Sequence, residues 1–228
     1  MVAKKNMEIK APSPTIEDYL GIIYTLYRDG EEIFGARLAE LLNVSAPTVT
    51  LTLRRMARDG WITVNTAKRV QLTPQGIQAA HAVIRRHMLT EWMLAKILNL
   101  PWSEIHEEAD RLEHSISNDV EKSLSAALQE PTHCPHGNPM PGSEDVSTTW
   151  LPLDQCREND RIVIRRIHEF LEDDQNLLRF FEENQIMPGM TARVSASRPS
   201  SRKIALTVDG NKVALDLDVA NHIFVEKL

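Results

Sequence analysis

Four residues near the middle of the chain, His106, Asp110, Glu113 and His114, are spaced by four, three and one. At roughly 100° per residue this spacing places all four on one face of a helix. Two imidazoles and two carboxylates side by side make a poor core face and a good face for a divalent transition metal. His87 and Glu91 repeat the i, i+4 pattern further upstream. Downstream, His133-Cys134-Pro135-His136-Gly137-Asn138-Pro139 sets a thiol between imidazoles. No second Cys/His pair stands at zinc-finger spacing, and the Pro and Gly neighbours favour a structured turn over a ligand cluster. His81, Glu107 and Glu108 read as ordinary surface or core residues.

The elements that must carry these side chains follow from periodicity. Pro74-Gln75-Gly76 opens a long helix to about Leu98, with Ile77, Ala80, Ile84, Met88, Trp92 and Ala95 as its apolar stripe. Pro101-Trp102-Ser103 starts another, with Ser103 as N-cap, running on through Ile116, Val120 and Leu124 to about Gln129. Two such helices suggest a dimerisation layer.

Ahead of them the pattern changes. Thr15–Arg28 reads as a helix, Gly35–Leu42 as a short one, Asn43-Val44-Ser45 as a turn, and Ala46 to about Asp59 as a second helix capped by Ser45 with Pro47 in its first turn. Short helix, tight turn, helix is the helix-turn-helix pattern. Ser45, Thr48 and Thr50 place small hydroxyls near the start of the second helix, and Arg54, Arg55 and Arg58 add a basic group. Trp61–Val64 and Val70–Thr73, with Lys68 and Arg69 near the tip, make a two-stranded ribbon, which completes a winged helix. A helix that reads DNA is the expectation.

After the helices, Asn138–Thr149 is rich in Pro, Gly, Ser and Thr and reads as a linker. Arg161–Arg165, Thr191–Ser195, Lys203–Val208, Lys212–Asp216 and Ile223–Glu226 are strand-like, and Glu172–Glu183 is helical. Asp209-Gly210-Asn211 is a strong hairpin turn. Several short strands around one helix indicate a small barrel of SH3 type. The expected fold is thus mixed α and β, with a winged helix-turn-helix (1–74), a helical dimerisation and metal-binding domain (75–137), a linker (138–149) and an SH3-like domain (150–228).

Composition sets the frame. A chain of 228 residues holds two or three small domains. No apolar run approaches the roughly 20 residues of a membrane span, and no secretory signal opens the chain. Two cysteines are too few for a disulfide framework, so a cytoplasmic, reduced protein is expected. The net charge of −6 argues at first against nucleic acid. Yet residues 1–75 hold ten Lys/Arg against eight Asp/Glu, and residues 76–150 hold five against eleven. The acidic excess lies with the candidate ligands, which leaves the first segment basic enough for DNA.

Four stretches together carry a family resemblance: Thr15-Ile16-Glu17-Asp18-Tyr19-Leu20, Ser45-Ala46-Pro47-Thr48-Val49-Thr50, Glu108-Ala109-Asp110-Arg111-Leu112-Glu113-His114 and Cys134-Pro135-His136-Gly137-Asn138-Pro139. From Thr15 onward the chain resembles the diphtheria toxin repressor and manganese transport regulator family, in its long form with an SH3-like (FeoA-like) tail. The resemblance implies a homodimeric, metal-activated transcriptional regulator that binds a palindromic operator in double-stranded DNA, usually a repressor of metal-uptake genes. It implies a primary metal site of Asp18, Asp110, Glu113 and His114. It also implies an ancillary site of His87, Glu91, His106, Glu172 and Gln175, hence two divalent ions per subunit.

Four positions depart from the family patterns. Iron-type members carry Met in place of Asp18 and Cys in place of Asp110; carboxylates there favour manganese(II), with iron(II) the alternative. The manganese pattern has Glu where this chain has Gly21, which argues against a two-manganese primary cluster. Leu51 replaces a Gln of the iron type, and leucine packs on a thymine methyl instead of hydrogen-bonding a base edge. Arg37, Arg55, Arg58 and Lys68 match phosphate-contact positions, and Ser45, Pro47, Thr48 and Thr50 belong to the reading helix. A metalloenzyme would need a poised nucleophile that no motif supplies, and a metal-independent DNA-binding protein would leave the ligand face unexplained.

Overall fold

The computed structural model describes residues 11–198 and 202–228. They fall into two compact units that divide between Val83 and Ile84.

In the first unit, α1 (Pro14–Arg28), α2 (Gly35–Leu41) and α3 (Ala46–Arg58) precede the ribbon β1 (Ile62–Val64) and β2 (Val70–Leu72), paired antiparallel. Its core takes Ile16, Tyr19, Leu20, Ile23 and Leu26 from α1, Leu38 from α2, and Val49, Leu53 and Met56 from α3. The last three are spaced by four and three, so the rest of α3 faces water. Ser45 caps α3 by accepting from the Thr48 amide at 3.3 Å. The winged helix expected from the sequence is present at nearly the expected boundaries.

The helix α4 (Pro74–Lys96) carries the chain into the second unit. There α5 (Ile105–Leu112) is followed by a 3₁₀ turn (Glu113–Ser115) and α6 (Asn118–Ala127). The single helix expected from Ser103 to Gln129 is therefore broken. Ile116 is extended, and Ser117 starts α6 by accepting from the Val120 amide. A Ser-Ile-Ser-Asn run sets N-cap residue types inside an apolar periodicity that continues on both sides; Ser117 takes the cap, and the cap wins. Nor does Ser103 cap α5: its hydroxyl donates to Glu182 Oε2 at 2.7 Å, and Glu104 takes the cap position.

Six strands make the SH3-like part: β3 (Leu151–Pro152), β4 (Arg161–Ile167), β5 (Thr191–Arg198), β6 (Lys203–Val208), β7 (Asn211–Asp216) and β8 (Ile223–Lys227). Their order is β3-β8-β4-β5-β6-β7, all neighbours antiparallel. Val208 pairs with Asn211 across Asp209-Gly210, both at positive φ, as a two-residue hairpin demands. The helix α7 (Gln175–Glu183) seals one side with Leu178 and Phe181 fully buried, and the short α8 (Leu217–Ala220) joins β7 to β8. The sequence-based helix beginning at Glu172 starts three residues later: Asp174 is the N-cap, accepting from the Asn176 and Leu177 amides.

Within the second unit the helical layer and the strands share a boundary. Trp102 packs against both the β core and the Leu94–Ile105–Ala109 cluster. The Trp102 and Ser103 amides donate to Glu182 of α7 at 2.9 and 3.3 Å. Asn138, Pro139 and Met140, at the head of the linker-like stretch, are buried.

Candidate metal centre and nucleic-acid interface

Glu91 sits on the inward stripe of α4, between the buried Met88 and Leu94, and is itself 0% exposed. A carboxylate there needs partners. Three imidazole nitrogens surround its Oε1: His87 Nε2 at 3.2 Å, His106 Nδ1 at 3.1 Å and His136 Nδ1 at 3.2 Å. His87 stands one turn earlier on α4, His106 on α5, and His136 in the buried loop after α6. Glu172, buried in the turn before α7, brings Oε2 to 2.8 Å from His106 Nδ1 and 3.7 Å from His136 Nδ1. Ligand-capable atoms of His87, Glu91, His106 and Glu172 all lie within 4.8 Å of one another, and so do those of Glu91, Cys134 and His136.

His87 also faces a second group. Its Nδ1 lies 2.6 Å from Glu113 Oε2 and 3.2 Å from Asp110 Oδ1. The 3₁₀ turn after α5 is what buries Glu113 while Asp110 stays exposed. His114 Nε2 is 3.7 Å from Glu113 Oε1. The outer nitrogen of His106 approaches Asp173 at 3.6 Å and Asp110 at 3.9 Å.

Charge and burial oppose one another here. Burial is the largest single influence on His87, His106 and His136 and disfavours their charged forms. The surrounding carboxylates outweigh it (Glu91 for His87, Glu172 for the other two) and hold all three imidazoles above their ordinary pKa. Glu91 is held well below the carboxylate range by His136 and His87 despite its burial. Asp110 is likewise lowered, burial opposing and His87 and His106 prevailing. Burial, reinforced by Glu91 and Glu172, pushes the Cys134 thiol well up.

The donor set fits a divalent cation. Glu91 Oε2 and both ring nitrogens of His136 are buried without a hydrogen-bond partner among the described residues; the 3.2 Å approach of His136 to Glu91 is not aligned for a bond. Buried polar atoms left in this way normally have an explanation such as an ion.

Of the expected ancillary ligands, His87, Glu91, His106 and Glu172 are together. Gln175 is the half-buried first residue of α7. Of the expected primary ligands, Asp110, Glu113 and His114 lie on α5 and the turn after it, and Asp18 is an exposed residue of α1 in the first unit. The sequence predicts a structured turn, and no ligand cluster, at Cys134 and His136. They do form a turn, yet it is buried against Glu91. The signal was there in their types; the partner 45 residues away was not.

The N-cap Ser45 is exposed, and on α3 so are Pro47, Thr48, Thr50, Leu51, Arg54, Arg55 and Arg58, along with Ala46 and Ala57. Ser45 and Thr48 hydroxyls are 2.8 Å apart, Thr50 bonds back to the Ala46 carbonyl, and Leu51 is 70% exposed, unusual for a leucine. Arg58 and Arg55 lie near Asp59, and Arg37 bonds Glu40 at 2.8 Å. Lys68 stands at positive φ at the ribbon tip.

Residues 12–70 match the family model described as the iron dependent repressor N-terminal DNA binding domain, residues 73–142 its metal binding and dimerisation domain, and residues 151–227 the FeoA domain. The iron-dependent repressor IdeR of Mycobacterium leprae (strain TN) is 35% identical, covering 94% of this chain and 97% of that protein. The diphtheria toxin repressor of Corynebacterium jeikeium (strain K411) is 42% identical over the same shares. Among solved structures, a manganese-dependent transcriptional repressor in complex with manganese superposes with a TM-score of 0.83 at 33% identity, covering 93% of this chain and all of that one. With its winged helix, helical metal face and SH3-like tail matched end to end, the chain belongs to the iron-dependent and manganese-dependent repressors of the diphtheria toxin repressor family, metal-dependent DNA-binding transcriptional regulators and not enzymes.

Proposed function

We propose that this chain is a manganese(II)-activated repressor of metal-uptake genes that binds two metal ions per subunit and acts as a homodimer on a palindromic operator. The convergence of three imidazoles on one buried Glu91 oxygen, with Glu91 Oε2 and His136 unpartnered, carries the reading. His87, Glu91, His106 and Glu172 would hold the ancillary ion, with Gln175 as the further donor of the family pattern; Cys134 and His136 face the same Glu91 and are candidates to share it. Asp110, Glu113 and His114 would hold the primary ion, with Asp18 assigned by correspondence to the family motif.

Bound metal supplies the positive charge that offsets clustered carboxylates. The chain supplies the rest. Asp18, Asp110 and Glu113 repel one another as anions, so their approach depends on that offset, and through Asp18 the approach fixes α1 and the DNA-binding domain that it opens. Arg37, Arg55, Arg58 and Lys68 would then meet phosphates, while Ser45, Pro47, Thr48, Thr50 and Leu51 face the bases. Reading an operator places the work in the cytoplasm.

Manganese is preferred because Asp18 and Asp110 are hard oxygen donors. Iron(II) is the second reading, favoured by the soft Cys134 sulfur in the buried set and by relatives named iron-dependent. Gel shifts with EDTA-treated protein, then with added manganese(II), iron(II) or zinc(II), test both. Operator retention should be lost in EDTA and restored by manganese at the lowest free concentration, and Asp110→Ala should abolish the response. Retention that survives EDTA overturns the switch; a lower threshold for iron overturns the manganese preference.

A further inference from the structure

The loop that carries Cys134 and His136 also carries a residue with another task. Asn138 is fully buried, and both ends of its amide are occupied. Its Nδ2 donates to the Ile167 carbonyl at 2.8 Å and to Glu172 Oε1, and has Cys134 Sγ at 3.9 Å. Its Oδ1 accepts from Arg166 Nε. Arg166 is only 4% exposed, bonds Glu169 at 2.9 Å through Nη2 and stacks 4.8 Å above the Phe224 ring.

This arrangement has a backbone cause. The β4–β8 register shifts between Ile164 and Arg166, a bulge, and bulges re-aim side chains. Arg166 is thereby turned to a buried position beside the loop. Against the bulge the loop lies unusually close: a Cβ on Gly137, at φ +90°, would fall 2.0 Å from the Arg165 carbonyl oxygen. The Ile167 amide donates to the His136 carbonyl at 2.8 Å. With Arg166 demanding the amide oxygen, the Asn138 NH₂ has to point at Glu172; flipped, its oxygen would face the carboxylate. Glu172 Oε1 is therefore held, and Oε2 is left towards His106 and His136.

We infer that Asn138, locked by Arg166, is a positioning residue for the metal centre: it orients Glu172 so that one carboxylate oxygen is presented to the ion. The inference rests on the proposed ligand role of Glu172. Outer hydrogen bonds of this kind are worth about 10–100-fold in metal affinity.

A double-mutant cycle tests it, using full-length protein, manganese(II) alone and the electron paramagnetic resonance signal of free manganese to count and rank the sites. Asn138→Ala should weaken the ancillary site about tenfold or more and leave the other site unchanged. In a Glu172→Ala background the same change should add less than about twofold, because coupled residues are not additive. The isosteric Asn138→Asp, which keeps its Arg166 partner but cannot donate to Glu172, should behave likewise and carries the test if the alanine variant fails to fold. Equal losses in both backgrounds would mean that Asn138 only holds the loop, and would overturn the inference. So would no loss for either Asn138 variant while Glu172→Ala weakens the site. If Glu172→Ala itself changes nothing, the ligand role falls, and the inference with it.

Discussion

Glu91 shows how burial that denies a carboxylate its alternatives can make it a candidate metal ligand. It lies on a helix stripe where the neighbours are apolar, it cannot reach water, and its one paired oxygen is bonded by His87 and His106 and approached at 3.2 Å by His136. Those imidazoles must be neutral to bind a metal, yet the carboxylates hold their pKa values above the ordinary value of about 6.5. Protons would therefore compete with the proposed metal ion throughout the neutral range. Affinity should rise with pH, by more than tenfold per unit where more than one proton is displaced; titrations at stepped pH values check this, and a flat profile would contradict it. Stability of the metal-free protein should run the other way. A raised imidazole stabilises fully below its unfolded value and loses that contribution as pH climbs through the folded one; lowered Glu91 and Asp110 contribute above about 4 and lose it as pH falls. The metal-free melting temperature should be highest on the mildly acidic side, between about 4 and 6.5, and fall towards alkaline pH.

At the scale of elements, the reading helix divides its labour by position. On the proposed reading, Leu51, exposed at 70%, would make a shape and methyl contact, whereas Arg58 would offer charge. Leu51→Gln should alter preference at one base pair by about 1–3 kcal/mol without changing the salt slope. Arg58→Ala should weaken all operators evenly and reduce the slope by about 1. Footprinting across salt concentrations separates the two, and a Leu51 variant with unchanged sequence preference would remove that residue from the readout. The elements themselves were legible where period and cap agreed, as in α1, α3 and the ribbon. They were misjudged where a cap interrupts a continuing apolar period. Ser117 splits one expected helix into α5 and α6, and Asp174 delays α7. The ligand types at 87, 91, 106, 110, 113 and 114 could be read from spacing. Asp18, Glu172 and Gln175 came only from the family motif, and His136 escaped because burial against Glu91 is a long-range fact that no local spacing encodes.

For the molecule as a whole, the second unit is held together in a way its sequence conceals. A stretch with linker composition begins at Asn138, but its first residues are core, and they bind the strands through Ile167, Arg166 and Glu172. Glu182 adds a second tie to the start of α5. The exposed stretch at Asp145, Val146, Thr148 and Thr149 is left as mere connection. Covalent continuity there should thus be dispensable. In a chain with a protease site inserted at this stretch and then cleaved, the two pieces should co-elute and keep their manganese stoichiometry; separation on a sizing column would show the tether to be essential. A flexible tether offers a ligand at about millimolar effective concentration. A carboxylate already lodged by Asn138 beside the imidazoles is instead prepaid in orientation, so on the proposed reading the tail would be less a leash than an inlaid part of the sensor.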